Sequence, residues 1–222
     1  MSEVFKANDF NKYKTNKINA SLGFEYNTLD SKVFPETGLS IEATAGHIFN
    51  NKLVRENQSE TTTFLNFQED KNYAYAQVAF KAFLHSSTLI CSEFYVNARS
   101  ANGKSFLDSY RIGGPIQSKG RTFGFVGVDD SELLVDNHIA LKYGLRLHAS
   151  EVIYITPVVQ YIYGRNLMSY AFDEVDYEVS LLSFGVVLGI NSPIGPLTFD
   201  LGYSGLTDRL VVNLGIGFRH IF

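Results

Sequence analysis

The sequence predicts an all-β chain: an antiparallel up-and-down transmembrane β-barrel of about nine or ten long strands, itself part of a larger barrel. Three observations carry this prediction. Apolar and polar residues alternate along most of the 222 residues, and a period of two marks a pleated strand. The alternating stretches, such as Ile18–Thr28 and His138–His148, are long. Soluble strands usually run about five or six residues, whereas a tilted strand crossing a bilayer needs about 9–11. Third, short turns and longer loops take turns as the connections between stretches.

Composition narrows the class. A formal net charge of −4 leaves no basic footprint for nucleic acid. Cys91 is the single cysteine, which excludes an internal disulfide framework. No apolar run reaches the roughly 18 residues of a transmembrane helix. A mean hydropathy of −0.03 fits membrane strands, whose lipid-facing and inward-facing residues average out. The opening MSEVFKANDF is not a signal peptide, so the expectation is a processed form or the tail of a longer protein.

Residues 1–17 are polar and read as a leader or the remnant of a preceding strand; the barrel domain is expected over 18–222. Ile18–Thr28 sets Ile18, Ala20, Leu22, Phe24 and Tyr26 against Asn19, Ser21, Gly23, Glu25 and Asn27. A turn punctuated by Pro35 and Gly38 follows. Leu39–Phe49 is the next strand, and 50–70 reads as an exposed loop with strand extensions around Thr61–Phe67. Asn72–Leu84 carries Val78, Phe80, Ala82 and Leu84 opposite Gln77 and Lys81. After a break at 85–88, Leu89–Arg99 sets Ile90, Phe94 and Val96 against Cys91, Glu93 and Asn97.

Residues 100–135 form the longest irregular stretch. Gly113, Gly114 and Gly120 permit positive φ and close backbone approach. Phe106, Tyr110, Phe123, Phe125 and Val126 are too apolar for simple disorder, which points to a loop folded into a barrel lumen. Arg111, Lys119 and Arg121 could pin that loop to inward acids such as Glu25, Glu42 or Glu93; exposed loop cations are the alternative.

The strand His138–His148 places Ile139, Leu141, Tyr143, Leu145 and Leu147 outside and Ala140, Lys142, Gly144, Arg146 and His148 inside. Glu151–Gly164 follows a tight turn, then a loop at 165–177. Val179–Asn191 and the stretch from Leu197 to Ser204 are joined by the turn SPIGP. The last stretch, Leu210–Phe222, carries Leu214, Ile216, Phe218, His220 and Phe222 on one face and ends on an aromatic. Such an ending resembles the sorting signal of bacterial outer-membrane proteins. A buried edge strand of a soluble sandwich is the alternative.

Three places carry a wider resemblance. YNTLDSKVFPETG (26–38) resembles the Tyr-Asn-x-Leu-Asp…Phe-Pro-x-x-Gly turn of barrels in the Bam/Sam/Toc-type assembly and translocation superfamily. SFGVVLGINSPIGPLTFDLGYS (183–204) resembles its Ser-Pro-x-Gly-Pro-Leu hairpin, and RIGGPIQSKGRTFGF lies where its inward loop belongs. The assembly factors carry Val-Arg-Gly-Phe in that loop; Lys119–Phe125 is a loose echo. The loop is more similar to those of barrels appended to bacterial patatin-like phospholipases. The resemblance implies an outer-membrane anchor or translocation domain, with lipids and the barrel assembly machinery as partners. Upstream strands or a second copy would complete the wall, because open edges in lipid leave backbone groups unpaired.

The chain itself shows no catalytic constellation. Gly202-Tyr203-Ser204-Gly205 misses the Gly-x-Ser-x-Gly spacing, so the lipase nucleophile is not expected here. The histidines 47, 85, 138, 148 and 220 lack metal-ligand spacing, and no cofactor is expected. Asp129, Asp130 and Glu132 read as a solvated acidic loop, with cation binding as the rival. Lys142 and Arg146 read as inward structural charges, and Cys91 as inert. Two other functions remain open: an outer-membrane assembly or secretion pore, and a soluble ligand-binding β-barrel.

Overall fold

The computed structural model describes residues 13–31, 34–55, 72–103, 110–114, 122–129, 133–169, 178–193, 195–205 and 208–216. It is all-β. The strands are β1 Tyr13–Asn27, β2 Gly38–Arg55, β3 Tyr73–Ser87, β4 Ile90–Ala101, β5 Tyr110–Ile112, β6 Thr122–Phe123, β7 Leu133–His148, β8 Ile153–Ser169, β9 Val179–Ser192, β10 Gly195–Ser204 and β11 Leu210–Ile216. Nine long strands form one up-and-down sheet in the order β1-β2-β3-β4-β7-β8-β9-β10-β11, and each neighbouring pair is antiparallel. The sheet is not closed: β1 and β11 are its two edges.

The nine stretches of alternation are thus nine strands, with shifted boundaries. β1 begins at Tyr13, inside the stretch 1–17 expected to be a leader or the remnant of a preceding strand. β2 runs on to Arg55 and β8 to Ser169, each taking residues from an expected loop. The extensions expected around Thr61–Phe67 lie outside the described residues. The largest shift is at β7, which starts at Leu133 rather than His138. Leu133, Leu134 and Val135 are all buried, so the strand is covered on both faces there and loses its alternation. β5 lies beside it, pairing Tyr110 with Val135 and Ile112 with Leu133, and the side chains of both strands join one buried cluster with Phe123, Phe125 and Val128.

Connections fall at two ends of the sheet. One end holds 28–37, 88–89, 149–152 and 193–194; the other holds 56–72, 102–132, 170–178 and 205–209. Residues 110–114 and 122–129 double back from the second end and lie across one face of the sheet, which is called the inner face below.

Register alignment makes the two faces opposites. One row of cross-strand partners reads Leu39, Ala82, Phe94, Tyr143, Val159, Phe184, Tyr203, Leu210. The next row reads Asn27, Ser40, Lys81, Tyr95, Lys142, Gln160, Ser183, Ser204. The first row is on the outer face and consists of aliphatic and aromatic residues, with the hydroxyls of Tyr143 and Tyr203 as its only side-chain polar groups. The second is on the inner face, and all its members carry a polar group. Antiparallel sheets in water normally bury the apolar face and wet the polar one. Here Leu22 is 82% exposed and Leu214 66%, while Lys81 is 6% exposed and Gln160 2%.

Candidate functional site: a plugged inner face

Residues 110–114 and 122–129 form a plug built around aromatic and branched side chains. Tyr110, Ile112, Phe123, Phe125 and Val128 pack with Leu133 and Val135 of β7 on Ala140, Ile162 and Leu181 of the inner face. Burial of side chains of this size stabilises by about 1.5–3 kcal/mol each, so the plug supplies the core that the sheet alone lacks. Phe123 also stacks on Tyr95 at 5.1 Å between ring centroids. Within the plug, Gly113 N–H donates to the Phe123 carbonyl at 3.1 Å and Gly114 N–H to that of Val128 at 2.9 Å. Gly113 adopts φ 127°, and an added Cβ would stand 1.9 Å from the Asp129 carbonyl oxygen.

Two inner-face side chains clamp the plug's backbone. Gln160 accepts from Val126 N–H at 2.8 Å and donates from Nε2 to the Gly124 carbonyl at 2.9 Å. Ser204 Oγ donates to the Gly127 carbonyl at 2.9 Å. Gln160→Leu would leave a buried amide N–H and a carbonyl without partners, at about 1–3 kcal/mol each. The expected result is faster hydrogen exchange at Val126 with little change in the amides of β8. Unchanged exchange at Val126 would mean that the clamp does not hold the plug.

The short-loop end is closed by the turn 28–37. Arg146 of β7 reaches it with Nη1, donating to the Pro35 carbonyl at 2.7 Å, while Nη2 donates to Glu93 Oε2 at 2.8 Å. Lys142 Nζ meets the other Glu93 oxygen at 3.0 Å. Phe34, Phe83 and Tyr154 place their rings within 6 Å of the guanidinium, at 5.7, 5.5 and 5.9 Å. The Glu36 carboxylate faces His85 at 3.4 Å and His148 at 3.7 Å, and the buried Cys91 thiol donates to the Glu36 carbonyl at 3.3 Å.

Asp30 organises this turn from outside the strands. Its Oδ1 accepts from Glu36 N–H at 3.0 Å. Partial burial pushes its carboxyl pKa up, but hydrogen bonds from Glu36, Thr37 and Ser31 outweigh it and leave the pKa below the usual value. A carboxylate lowered on folding stabilises the fold above its unfolded pKa, and that contribution disappears as pH falls through the folded value. Acidification below the ordinary carboxyl pKa of about 3.9 is therefore expected to loosen the turn. The check is the protection of the Glu36 amide between neutral and acid pH, corrected for intrinsic exchange; constant protection would refute it.

Between plug and turn lies a cavity of about 140 Å³, lined among others by Lys81, Glu93, Lys142, Arg146, Thr198 and Asp200. Among its described lining residues none is Ser, Cys or His. Ser204 and Cys91 lie outside the lining; Ser204 donates its hydroxyl to the plug and Cys91 its thiol to the Glu36 carbonyl. Among the described residues, no cluster of three or more His, Cys, Asp or Glu has metal-binding geometry.

The structure divides the residues singled out from the sequence. Phe123, Gly113 and Gly114 are buried in the plug, and Gly114 bridges to Phe125. Arg111 sits on β5 with its side chain exposed, so it is not the pin to inward acids; Glu93 is engaged by Lys142 and Arg146 instead. Asp129 pairs with Arg209. Lys119, Gly120 and Arg121 lie outside the described residues, as do Phe218, His220 and Phe222. Leu214 is exposed on the outer face, and Ile216 ends β11 opposite Leu197. Sequence reasoning missed Gln160, Ser204 and the inward fold of 28–37. Their one advance signal was polar side chains at inward positions with no partner in view.

No protein-family model matches the chain, and no curated protein matches it in sequence.

Proposed function

We propose that the chain is part of a β-barrel wall in the bacterial outer membrane, the anchor or translocation domain of a patatin-like protein, with no catalysis of its own. The observation that carries this is the inversion of the two faces. The outer face is bare from β1 to β11 and presents Phe24, Val78, Phe94, Leu141, Phe184, Leu201 and Leu214. In water each such side chain would forgo about 1.5–3 kcal/mol of burial; lipid removes that cost. The polar inner face then lines a lumen filled by the plug.

The resemblance of 26–38 and 183–204 to the assembly and translocation superfamily supports the same reading. So do the two unpaired edges. With nine strands in the meander, β1 and β11 run in the same direction, so direct closure would join them as parallel neighbours. An odd number of further strands restores antiparallel pairing around the ring, and lipid demands that the ring be closed.

The test is an immunoblot of the native protein on separated soluble and membrane fractions, with the membranes extracted at high pH. The expected band resists extraction and runs far above 24.8 kDa, the mass of this chain. An extraction-resistant band near 24.8 kDa would remove the appended enzyme and leave a self-assembling barrel. A band in the soluble fraction would overturn the membrane reading and favour a ligand-binding barrel.

A further inference from the structure

Residues 34–37, the arm that leads into β2, are fastened to the sheet by contacts of two kinds. Phe34 lines the cavity and packs on Tyr154 of β8 at 4.7 Å between ring centroids, while the Arg146 guanidinium holds the Pro35 carbonyl. A guanidinium keeps its proton throughout the range in which proteins stay folded, so that fastening is constant. Glu36 supplies the other kind. Its carboxylate has a histidine on each oxygen, His85 of β3 at 3.4 Å and His148 of β7 at 3.7 Å. An imidazole forms an ion pair only when protonated, and histidine changes charge between about pH 5 and 8.

The two histidines are not equivalent. The His148 side chain is 12% exposed, its ring meets Tyr154 edge-on at 5.0 Å, and its Nε2 is buried without a hydrogen-bond partner. A second ring proton there would be buried and unbonded, which is costly. The His85 side chain is 35% exposed, so water reaches its ring and His85 is the one that gains the proton. The other charged and titratable groups packed around the arm are already engaged. Glu93 of β4 is matched by Lys142 and Arg146 of β7, and the Cys91 thiol donates to the Glu36 carbonyl. Asp30 of the turn accepts from the Glu36 amide, and Tyr154 donates its hydroxyl to the Glu151 carbonyl. Among the described residues, the ion pairs of Glu36 are with the two histidines alone.

We propose that residues 34–37 form a pH-dependent latch: protonation of His85 ties Glu36 down and holds Phe34 in the cavity wall, and loss of that proton leaves the arm on Arg146 and packing. The tie is present below the histidine range and disappears as pH rises through it. It lasts down to the carboxyl range, about pH 4, where the Asp30 contacts loosen as well. The hold is therefore strongest between the two ranges. This inference rests on the arm's contacts and does not require the membrane reading.

Cys91 is a built-in reporter: it is the chain's single cysteine, it is buried, and its thiol is bonded to the arm. The experiment is trapping of Cys91 in the folded full chain by N-ethylmaleimide, with His85→Gln compared with the parent at the same pH, which cancels the reagent's own pH dependence. The expected ratio of rates is about one at about pH 8 and about threefold at about pH 5.5, the size of a partly exposed ion pair. Glu36→Gln should behave alike, and the double variant should add nothing to either single one at the lower pH. A His85→Gln ratio that is the same at both pH values would overturn the proposal, because His85 would then act by packing. So would a double variant whose effects simply add. If a variant does not fold, sodium chloride on the parent decides. Salt should speed trapping more at the lower pH than at the higher, since it screens the pair only where the pair is charged, and equal responses overturn the latch.

Discussion

Glu93→Ala is expected to destabilise the folded chain by about 3–5 kcal/mol, the range for removing one partner of a buried ion pair. Glu93 is the only described carboxylate that touches both Arg146 and Lys142, and its side chain is 10% exposed beside an Arg146 that is 7% exposed. Without it, two cations share a nearly dry space with no counter-charge between them. The loss should also reach the turn, because the guanidinium that holds the Pro35 carbonyl is aimed by its bond to Glu93. Unfolding in denaturant measures the loss. A companion variant separates charge from packing: Glu93→Leu combined with Arg146→Leu should recover much of the stability, since the uncompensated charge is then reduced to Lys142. A single-variant loss below about 1 kcal/mol would show that water already screens the cluster.

Gly202→Ala is the second large effect, and it acts on the plug. A Cβ at Gly202 would stand 2.5 Å from Gly127 N, 2.7 Å from Val126 Cβ and 2.8 Å from the Val126 carbonyl carbon. Two of these are backbone atoms, so no side-chain rotation relieves the clash. Gly127 in turn adopts φ 80°, with its own Cβ position 2.5 Å from the Tyr203 carbonyl carbon. Plug and β10 thus meet backbone to backbone, and one methyl forces them apart. Overpacking costs about 1–3 kcal/mol, and the plug, held by few hydrogen bonds, is the part free to yield. The expected result is new protease cleavage within 110–129 while the long strands stay protected. Gly205→Ala is the control: nothing lies within 4 Å of its Cβ position, and it should behave as the parent. Equal cleavage in both variants would contradict the close approach.

Alternation made the sheet legible because each long strand has one apolar and one polar face, and a period of two survives wherever only one face is covered. It failed where both faces are covered. Leu133, Leu134 and Val135 read as the end of a loop because the plug buries the side that would otherwise be polar. The plug was legible as a loop too apolar to be disordered, and Gly113, Gly114 and Phe123 are buried in it. Its fastenings were not, because Gln160 and Ser204 lie 36 and 77 residues from the groups they hold, Gly124 and Gly127, and local patterning carries no such distance. Arg111 left two readings open in the sequence, a pin to inward acids such as Glu25, Glu42 or Glu93 and an exposed loop cation; its side chain is exposed, and Glu93 is engaged by Lys142 and Arg146 of the neighbouring β7. The turn between β1 and β2 was legible as a turn and as a family resemblance, but not its contact with Arg146, which holds the Pro35 carbonyl across 111 residues.

The central claim is that the bare face meets lipid and the plugged face does not. Spin labels placed singly along β7 and β9, in a Cys91→Ser background reconstituted into phospholipid vesicles, test it most directly. The label positions are Ile139, Leu141, Tyr143, Leu182, Phe184 and Val186 on the outer face, and Lys142 and Ser183 on the inner. The account predicts that relaxation by dissolved oxygen, which concentrates in the bilayer, rises at every outer position and falls at the inner ones, with a period of two. Outer positions relaxed instead by a water-soluble nickel chelate, with no periodicity in the oxygen signal, would contradict it.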